Sequence, residues 1–348
     1  MGRLTKPTGM SARHGTLAAV RPALRPGLLP LWRDRDTVQI GIDPRRAVAI
    51  SGMSQASDVI RLLDGSRERD QLVAEARERG VQPAVTERII TLLAAAGVLV
   101  DFSSDLLRSL PPELTRQLMP VLAAASVAAE DGDGGARLIA RRSSTTMLVC
   151  GSGPIAAILA DLLTRSGLAV RSSPIAPVQQ LAGPRPADPP DLVVLVGHQS
   201  PAETAELSRI RLPHLAVYAG EAIGVVGPLV QPGITACLRC IDLAKTERDP
   251  AWPLILAQLA GHSVEPTACD AVLATTVAAQ AATQALAFAD QSPLADATAN
   301  GTLELVCPTW QWRRRSWLPH PACLCGSSDT DERDTSPRHR LAVRAGRG

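Results

Sequence analysis

Aromatic residues are nearly absent from this chain: five Trp, two Phe and one Tyr make up 2% of its 348 residues. A core must therefore be built from Ala, Leu, Val and Ile. Single-stranded nucleic acid, which needs aromatic stacking platforms, finds few here. An excess of one charge is missing as well. Lys and Arg number 36 against 34 Asp and Glu, a net charge of +2, so no basic stripe marks a duplex-binding surface. Nucleic acid is not expected as a partner. No run of about 18 uncharged apolar residues occurs, so no spanning helix and no membrane partner are expected. The richest stretch, 271–289, is interrupted by Thr275, Thr276, Gln280, Thr283 and Gln284. Residues 1–15 lack the apolar block of a secretory signal, and Lys6 stands where myristoylation needs Ser or Thr. The expected location is cytoplasmic.

Cysteine, by contrast, is plentiful, with seven in the chain. In a reducing compartment, close spacing points to metal or catalysis rather than to disulfides. Two residues separate Cys237 from Cys240, and one separates Cys323 from Cys325. Together they supply the four thiolates of a closed tetrahedral zinc site, which is structural because every coordination position is used. The second pair is tighter than the usual spacing, so His320 is an alternative ligand. Stray or buried thiols are the plainer alternative. Cys150, Cys269 and Cys307 stand alone in apolar or helical surroundings and read as core.

Residues 1–27 carry Pro7, Pro22 and Pro26 without periodicity and read as a flexible lead-in. Strand-like runs at 28–32, 38–42 and 47–51 follow, separated by Asp34, Asp36 and Asp43-Pro44. Three helical patterns come next: Val59, Ile60 and Leu63 up to Gly65; Leu72, Val73 and Ala76, capped by Ser66, up to Gly80; and Val85, Ile89, Leu92, Leu93 and Ala96 up to Gly97. A strand at 98–100 can follow them. A small sheet with three helices predicts a winged-helix-like α+β module over 28–102. A helical linker spans 103–136, and the run Asp131-Gly132-Asp133-Gly134-Gly135 marks the domain boundary.

From residue 137 to 326 the rhythm is that of an α/β domain. A strand at 146–150 runs into Gly151-Ser152-Gly153-Pro154-Ile155-Ala156 and a helix, with further strands at 168–171, 192–196, 215–218 and 222–226. This alternation predicts a doubly wound, parallel, Rossmann-like sheet. A long Ala-rich helix is expected over 267–289, with Pro266 suiting its first turn, and the charged tail 327–348 reads as disordered. Gly151, Gly153 and Ala156 are the candidate nucleotide loop. The second strand, however, ends in Arg171-Ser172-Ser173, without the acidic residue that holds a ribose. A degenerate pocket is the simpler reading. A lone Arg171 meeting an NADP phosphate is a distant one. WRRRSW (312–317) reads as a solvated strand edge, and Asp191 as a cap.

Two stretches, GPLVQPGITACLRCIDL (227–243) and RDPAWPLILAQLA (248–260), resemble the ThiF/MoeB-like, ubiquitin-activating-type superfamily. Within it, the closest resemblance is to the actinobacterial ThiF-like leader-peptide-binding, cyclodehydratase-associated proteins of thiazole/oxazole-modified microcin biosynthesis. HPACLC (320–325), LWRDRDTVQIGIDPRRAVAISGM (31–53) and LLDGS (62–66) extend that resemblance from residue 31 to 325.

The resemblance implies a bipartite protein. Its N-terminal module would hold a precursor leader peptide as an added strand, mapping here onto Arg46, Val48 and Ile50 and onto the helix face of Val85, Ile89 and Leu92. The alternative is an edge covered by the chain's own lead-in. Active members carry a ribose-binding Asp, an Asn/Arg/Gln cluster and an Mg-binding Asp. The corresponding places here hold Arg171-Ser172-Ser173, Gln179-Gln180 and Gly197-His198-Gln199. Without those charges adenylyl transfer loses its electrostatic support, so ATP is not expected to bind.

The implied function is a scaffold, with structural zinc, that delivers a ribosomal bacteriocin-type precursor to a YcaO-type cyclodehydratase for azoline formation. An active ThiF-type adenylyltransferase acting on a peptide or carrier C-terminus stays open as the alternative. A homodimer is also left open.

Overall fold

The computed structural model describes residues 4–5, 20–52, 56–102, 112–129, 132–174, 188–198, 200–259 and 268–326. The expected disordered tail, Pro266, Gln199 and the Gln179-Gln180 pair lie outside them. The chain divides into two units, Met1–Ala140 and Arg141–Gly348.

In the first unit, strands β1 (Leu4–Thr5), β3 (Pro30–Trp32), β4 (Thr37–Ile40) and β5 (Val48–Ser51) form an antiparallel sheet in the order β1-β5-β4-β3. Alternation on β4 and β5 sends Val38, Ile40, Val48 and Ile50 to one side. The register pairs Val38 with Ile50 and Ile40 with Val48. Helices α1 (Ala56–Leu62), α2 (Arg69–Glu78) and α3 (Pro83–Ala95) close over that face through Val59, Leu62, Leu72, Ile89 and Leu93. Ser66 does not cap α2. Its hydroxyl donates to Asp64, and Glu68 takes the N-cap, its N–H donating to Gln71 Oε1 at 3.0 Å.

The lead-in is more structured than its sequence suggests. Its residues 22–24 are strand β2 (Pro22–Leu24), paired antiparallel with β6 (Leu99–Asp101). The side chain of Arg25, 3% exposed, donates to Gly97 O at 3.1 Å and Ser126 Oγ at 3.0 Å. Three residues between prolines carry no readable period, and a buried arginine looks like a loop residue until its acceptors are known. Helices α4 (Pro112–Ala129) and α5 (Ala136–Ser143) bury Leu118, Leu122, Ala136 and Ile139 in a small cluster of their own.

The second unit holds a seven-stranded sheet in the order β13-β12-β11-β10-β9-β7-β8. Its members are β7 (Thr146–Cys150), β8 (Ala169–Ser173), β9 (Leu192–Val196), β10 (His214–Gly220), β11 (Ile223–Val230), β12 (Gly301–Val306) and β13 (Gln311–Ser316). The sheet is mixed, which corrects the parallel expectation. Strands β8, β7, β9 and β10 run parallel, but β11, β12 and β13 are antiparallel to their neighbours. The connection between β10 and β11 is only Glu221-Ala222, at φ 52 and 59°. A two-residue link with both φ positive makes a hairpin, whereas a parallel return needs a crossover of about a dozen residues.

Helices α6 (Pro154–Arg165) and α10 (Ala271–Ala289) cover one face of this sheet through Leu159, Leu163, Leu273, Val277 and Ala281. On the other face Leu148, Val193 and Leu195 pack with Leu207 of α7 (Pro201–Arg209) and with Leu212. Asp270 caps α10 by accepting the Leu273 N–H at 2.7 Å, so the helix starts at Ala271. By length and composition α10 could cross a membrane, yet 50% of its apolar window is buried, and the sheet accounts for its apolarity. Asp191 Oδ2 accepts the Thr146 N–H at 2.8 Å and ties the starts of β7 and β9 together. Helices α8 (Leu238–Arg248) and α9 (Trp252–Leu259) complete the unit.

Candidate metal centre and strand-end crevice

Helix α8 begins at the first cysteine pair. Cys237 is its N-cap and Cys240 lies in its first turn, so the two residues share a face. Cys323 and Cys325 come from a short turn after β13 that ends in a 3-10 helix, Leu324–Gly326. All four sulfurs lie within 4.8 Å of one another. Individual separations are 3.7 Å for 237–240, 3.6 Å for 237–323 and 3.3 Å for 240–325. Four thiolates at about 2.3 Å from a tetrahedral zinc stand about 3.8 Å apart, so the set fits such an ion.

His320 is not part of this set. Its Nε2 lies 2.9 Å from Glu247 Oε1, and its Nδ1 accepts the Ala322 N–H at 3.1 Å. Val230, Ala236, Ile241 and Trp317 wrap the sulfurs. Burial pushes the Cys237 thiol up to about 11 and raises the Cys325 thiol as well, while hydrogen bonds hold Cys240 below its ordinary value against its own burial. Four negative sulfurs cannot coexist in that apolar setting without a cation, and a coordinated divalent ion supplies one. A four-thiolate site leaves no open position for chemistry.

The second feature is the crevice beyond the C-terminal ends of β7 and β9, where the strand order reverses. Gly151 has φ +132°, and a Cβ there would lie 2.5 Å from Val196 O, so the close approach of β7 to β9 requires glycine. Gly153 (φ +85°) is the N-cap of α6, and Ala156 is buried in its first turn. The register sets Arg171 opposite Leu148, inside β8, and Ser173 opposite Cys150 at the strand end. Arg171 Nη2 donates to Asp188 O at 2.8 Å, so the guanidinium is turned to its own chain and the NADP reading loses its anchor.

Sequence reasoning missed several groups in this unit. His198, two residues after β9, packs its ring against Tyr218 at a 58° tilt with centroids 4.3 Å apart, and burial holds its pKa down. The Lys245 amine sits 4.3 Å over the Trp252 ring, and Trp252 Nε1 donates to Asp242 Oδ1 at 3.1 Å. Of these, only His198 had a readable signal, its place at the end of a buried strand. Cys150 is buried, its thiol pushed up to about 12, so it is core and no nucleophile. Cys269 and Cys307 pack half-buried against the main core of this unit.

In the first unit the residues expected at a peptide site lie in different surroundings. Val48, Ile50 and Ile89 are at most 3% exposed and belong to the core. On β5 the even-numbered side chains face inward, so a strand added to its edge would meet backbone and not these residues. That edge is already paired, with Leu4 opposite Ile50 and Thr5 opposite Ala49. Arg46 is exposed in the preceding turn, and Val85 and Leu92 are half-buried on α3.

No family model and no curated protein match this chain. Solved structures do match it by fold. The heterocyclase TruD gives a TM-score of 0.59 at 19% identity, over 87% of this chain and 42% of TruD. A heterocyclase solved with substrate and cofactor gives 0.58 at 16%, over 86% of this chain and 38% of its own length. E. coli MccB solved with selenomethionine MccA gives 0.54 at 13%, over 88% of this chain and 99% of MccB. The chain thus spans less than half the length of the two heterocyclases. At these identities the likeness is one of fold.

Proposed function

We propose that this chain is a leader-peptide-binding scaffold of ribosomal-peptide modification, handing a precursor to a YcaO-type cyclodehydratase for azoline formation. In this reading 28–102 is the peptide-recognition module, 103–136 a linker, and 137–326 a ThiF-like domain with structural zinc. The observation that carries the proposal is the crevice at the strand ends. Its fold is that of MccB, for which an ATP complex is known. Yet the residues ending β7, β8 and β9 are Cys150, Ser173 and Val196–His198, with no carboxylate among them. Among the described residues, the four cysteines are the one cluster of three or more His, Cys, Asp or Glu side chains close enough together to hold a metal ion. A fold kept without its phosphate and Mg2+ chemistry suits a carrier role better than a transferase.

One observation favours the alternative, an ATP-dependent adenylyltransferase. Gly151 and Gly153 still open the N-terminus of α6, where backbone N–H groups can face a phosphate. Calorimetric titration of metal-loaded protein with Mg-ATP decides between the two, with Gly153→Asp as the control. No heat at saturating nucleotide is the expected result. Binding that Gly153→Asp abolishes would overturn the scaffold reading.

A further inference from the structure

Beside the metal centre, within the second unit, lies a groove of about 860 Å3 that no step of the proposed function uses. One wall is the face of α7 carrying Pro201, Thr204, Ala205 and Ser208. Those positions follow the i, i+3, i+4, i+7 pattern, and their small side chains leave room for another helix at the usual 8–10 Å interaxial distance. Helix α8 packs against α7 and contributes the half-buried Leu238 and Leu243, and α9 adds Pro253 and Leu256. Two large apolar side chains line the mouth and stand in solvent: Ile234 is 63% exposed and Leu324 is 76% exposed. Leu324 lies between two metal-binding residues, Cys323 and Cys325, so the clip that gathers the sulfurs also holds this leucine at the mouth. Apolar side chains displayed at a groove of this size mark an interaction surface.

Charge narrows the occupant. Arg209, Arg211 and Arg239 line the groove, and all three are exposed. Arg209 is paired with Glu206 at 2.6 Å, but neither Arg211 nor Arg239 has an ion-pair partner among the described residues. Asp242, the single acidic lining residue, accepts from Trp252 and lies near Lys245, so it does not compensate them. Most of the lining lies on α7, α8 and α9 and offers no strand edge to an extended peptide, whereas a helix laid across these helices gains the apolar surface without needing main-chain hydrogen bonds.

We infer that this groove is the docking site for an amphipathic helix of a partner polypeptide, apolar along one stripe and acidic along its flanks. Identifying that partner with the peptide-modifying enzyme rests on the reading above; the helix and its charge do not. Ile234 and Leu324 are the apolar anchors, and Arg211 and Arg239 select the acidic flank.

The test uses full-length, metal-loaded protein and fluorescence anisotropy. The probe is a designed, dye-labelled helix of about 18 residues, long enough to hold helical structure, with a leucine stripe and glutamate flanks. A counterpart carries lysine flanks. Saturable binding of the glutamate helix is expected, with the lysine helix at least tenfold weaker. Arg211→Glu combined with Arg239→Glu should invert that preference, and Leu324→Ser should weaken both helices about tenfold. These side chains are exposed, so the variants should melt like the parent, which circular dichroism checks. Equal binding of the two helices, or a preference that charge reversal leaves unchanged, overturns the inference. The Mg-ATP titration on the same samples keeps the two ideas separate. Heat there with charge-selective helix binding intact sinks the scaffold reading alone, and the converse pattern sinks the groove.

Discussion

A metal held by the four cysteines should stabilise the second unit by an amount the chain itself sets. The clip joins Cys237 to Cys323 and Cys240 to Cys325, pairs 86 and 85 positions apart. Treated as a cross-link that removes loop entropy from the unfolded chain, a closure of that length is worth about 4.6 kcal/mol at 25 °C. A unit of roughly 200 residues unfolds with about 2.1 cal/mol/K of entropy per residue, so losing the clip should lower its midpoint by about 10 °C. The released thiols take up protons in their apolar pocket, which keeps the metal-free form from being worse still. Differential scanning calorimetry on loaded and chelator-dialysed protein, with metal content measured on both, reads the effect. Cys325→Ser should reproduce most of it. Cys269→Ser, whose sulfur lies 3.8 Å from the Asp270 carbonyl and far from the cluster in sequence, should not. Metal-free protein melting within about 2 °C of the loaded form would show that the four sulfurs are not a structural clip.

Asp290→Ala should cost about 3 kcal/mol in a denaturant titration, because it leaves the Arg142 guanidinium, bonded to Asp290 at 2.8 and 2.6 Å, charged and buried. Stability should also fall on acidification. His214 is fully buried, its Nδ1 donates to Leu212 O at 3.0 Å, its Nε2 has no partner, and burial lowers its pKa. The folded state holds it neutral, so its contribution is complete above the unfolded pKa of about 6.5 and is lost as pH falls toward the lowered folded value. The slope in that window should approach about 1.4 kcal/mol per pH unit, with His198 adding in the same sense. His214→Leu should flatten it in urea titrations at pH 7, 6 and 5. Finally, a chain lacking residues 1–10 should bind a labelled peptide of that sequence, and the intact chain should bind it at least tenfold more weakly, because β1 already pairs β5. Equal binding by both in anisotropy would mean the β5 edge is not the acceptor.

What the sequence made legible follows the strength of its local signals. Strands β4, β5, β7 and β9 and helices α1, α3 and α6 carry apolar periods bounded by glycine or aspartate, and each sits within a few residues of its expected place. Helix α7 opens with Ser200-Pro201-Ala202-Glu203, a capping box in which Ser200 Oγ accepts the Glu203 N–H at 3.2 Å, yet its apolar face is only Thr204 and Leu207. A period that weak is easily passed over. The direction of β11 was missed for a different reason. The expected strands 215–218 and 222–226 leave three residues between them, too few for the roughly dozen of a parallel crossover, but the strand–helix rhythm before them overrode that gap. The two-residue link with positive φ makes the hairpin plain.

The sites divide along the same line. The cysteine pairs were legible because metal geometry restricts spacing within each pair, and the fold had only to bring two such pairs together across more than 80 positions. The expected peptide edge was read as a place on the sheet, without its register. Which side chains face it depends on register, and a shift of one residue moves every side chain to the other face. Val48 and Ile50 were read as contacts because they are the apolar residues of β5; they are apolar because they face the core. A strand added at that edge, as β1 is, is held through the main chain of β5. Recognition of that kind constrains main-chain geometry far more than residue identity, and so leaves little trace in a single sequence.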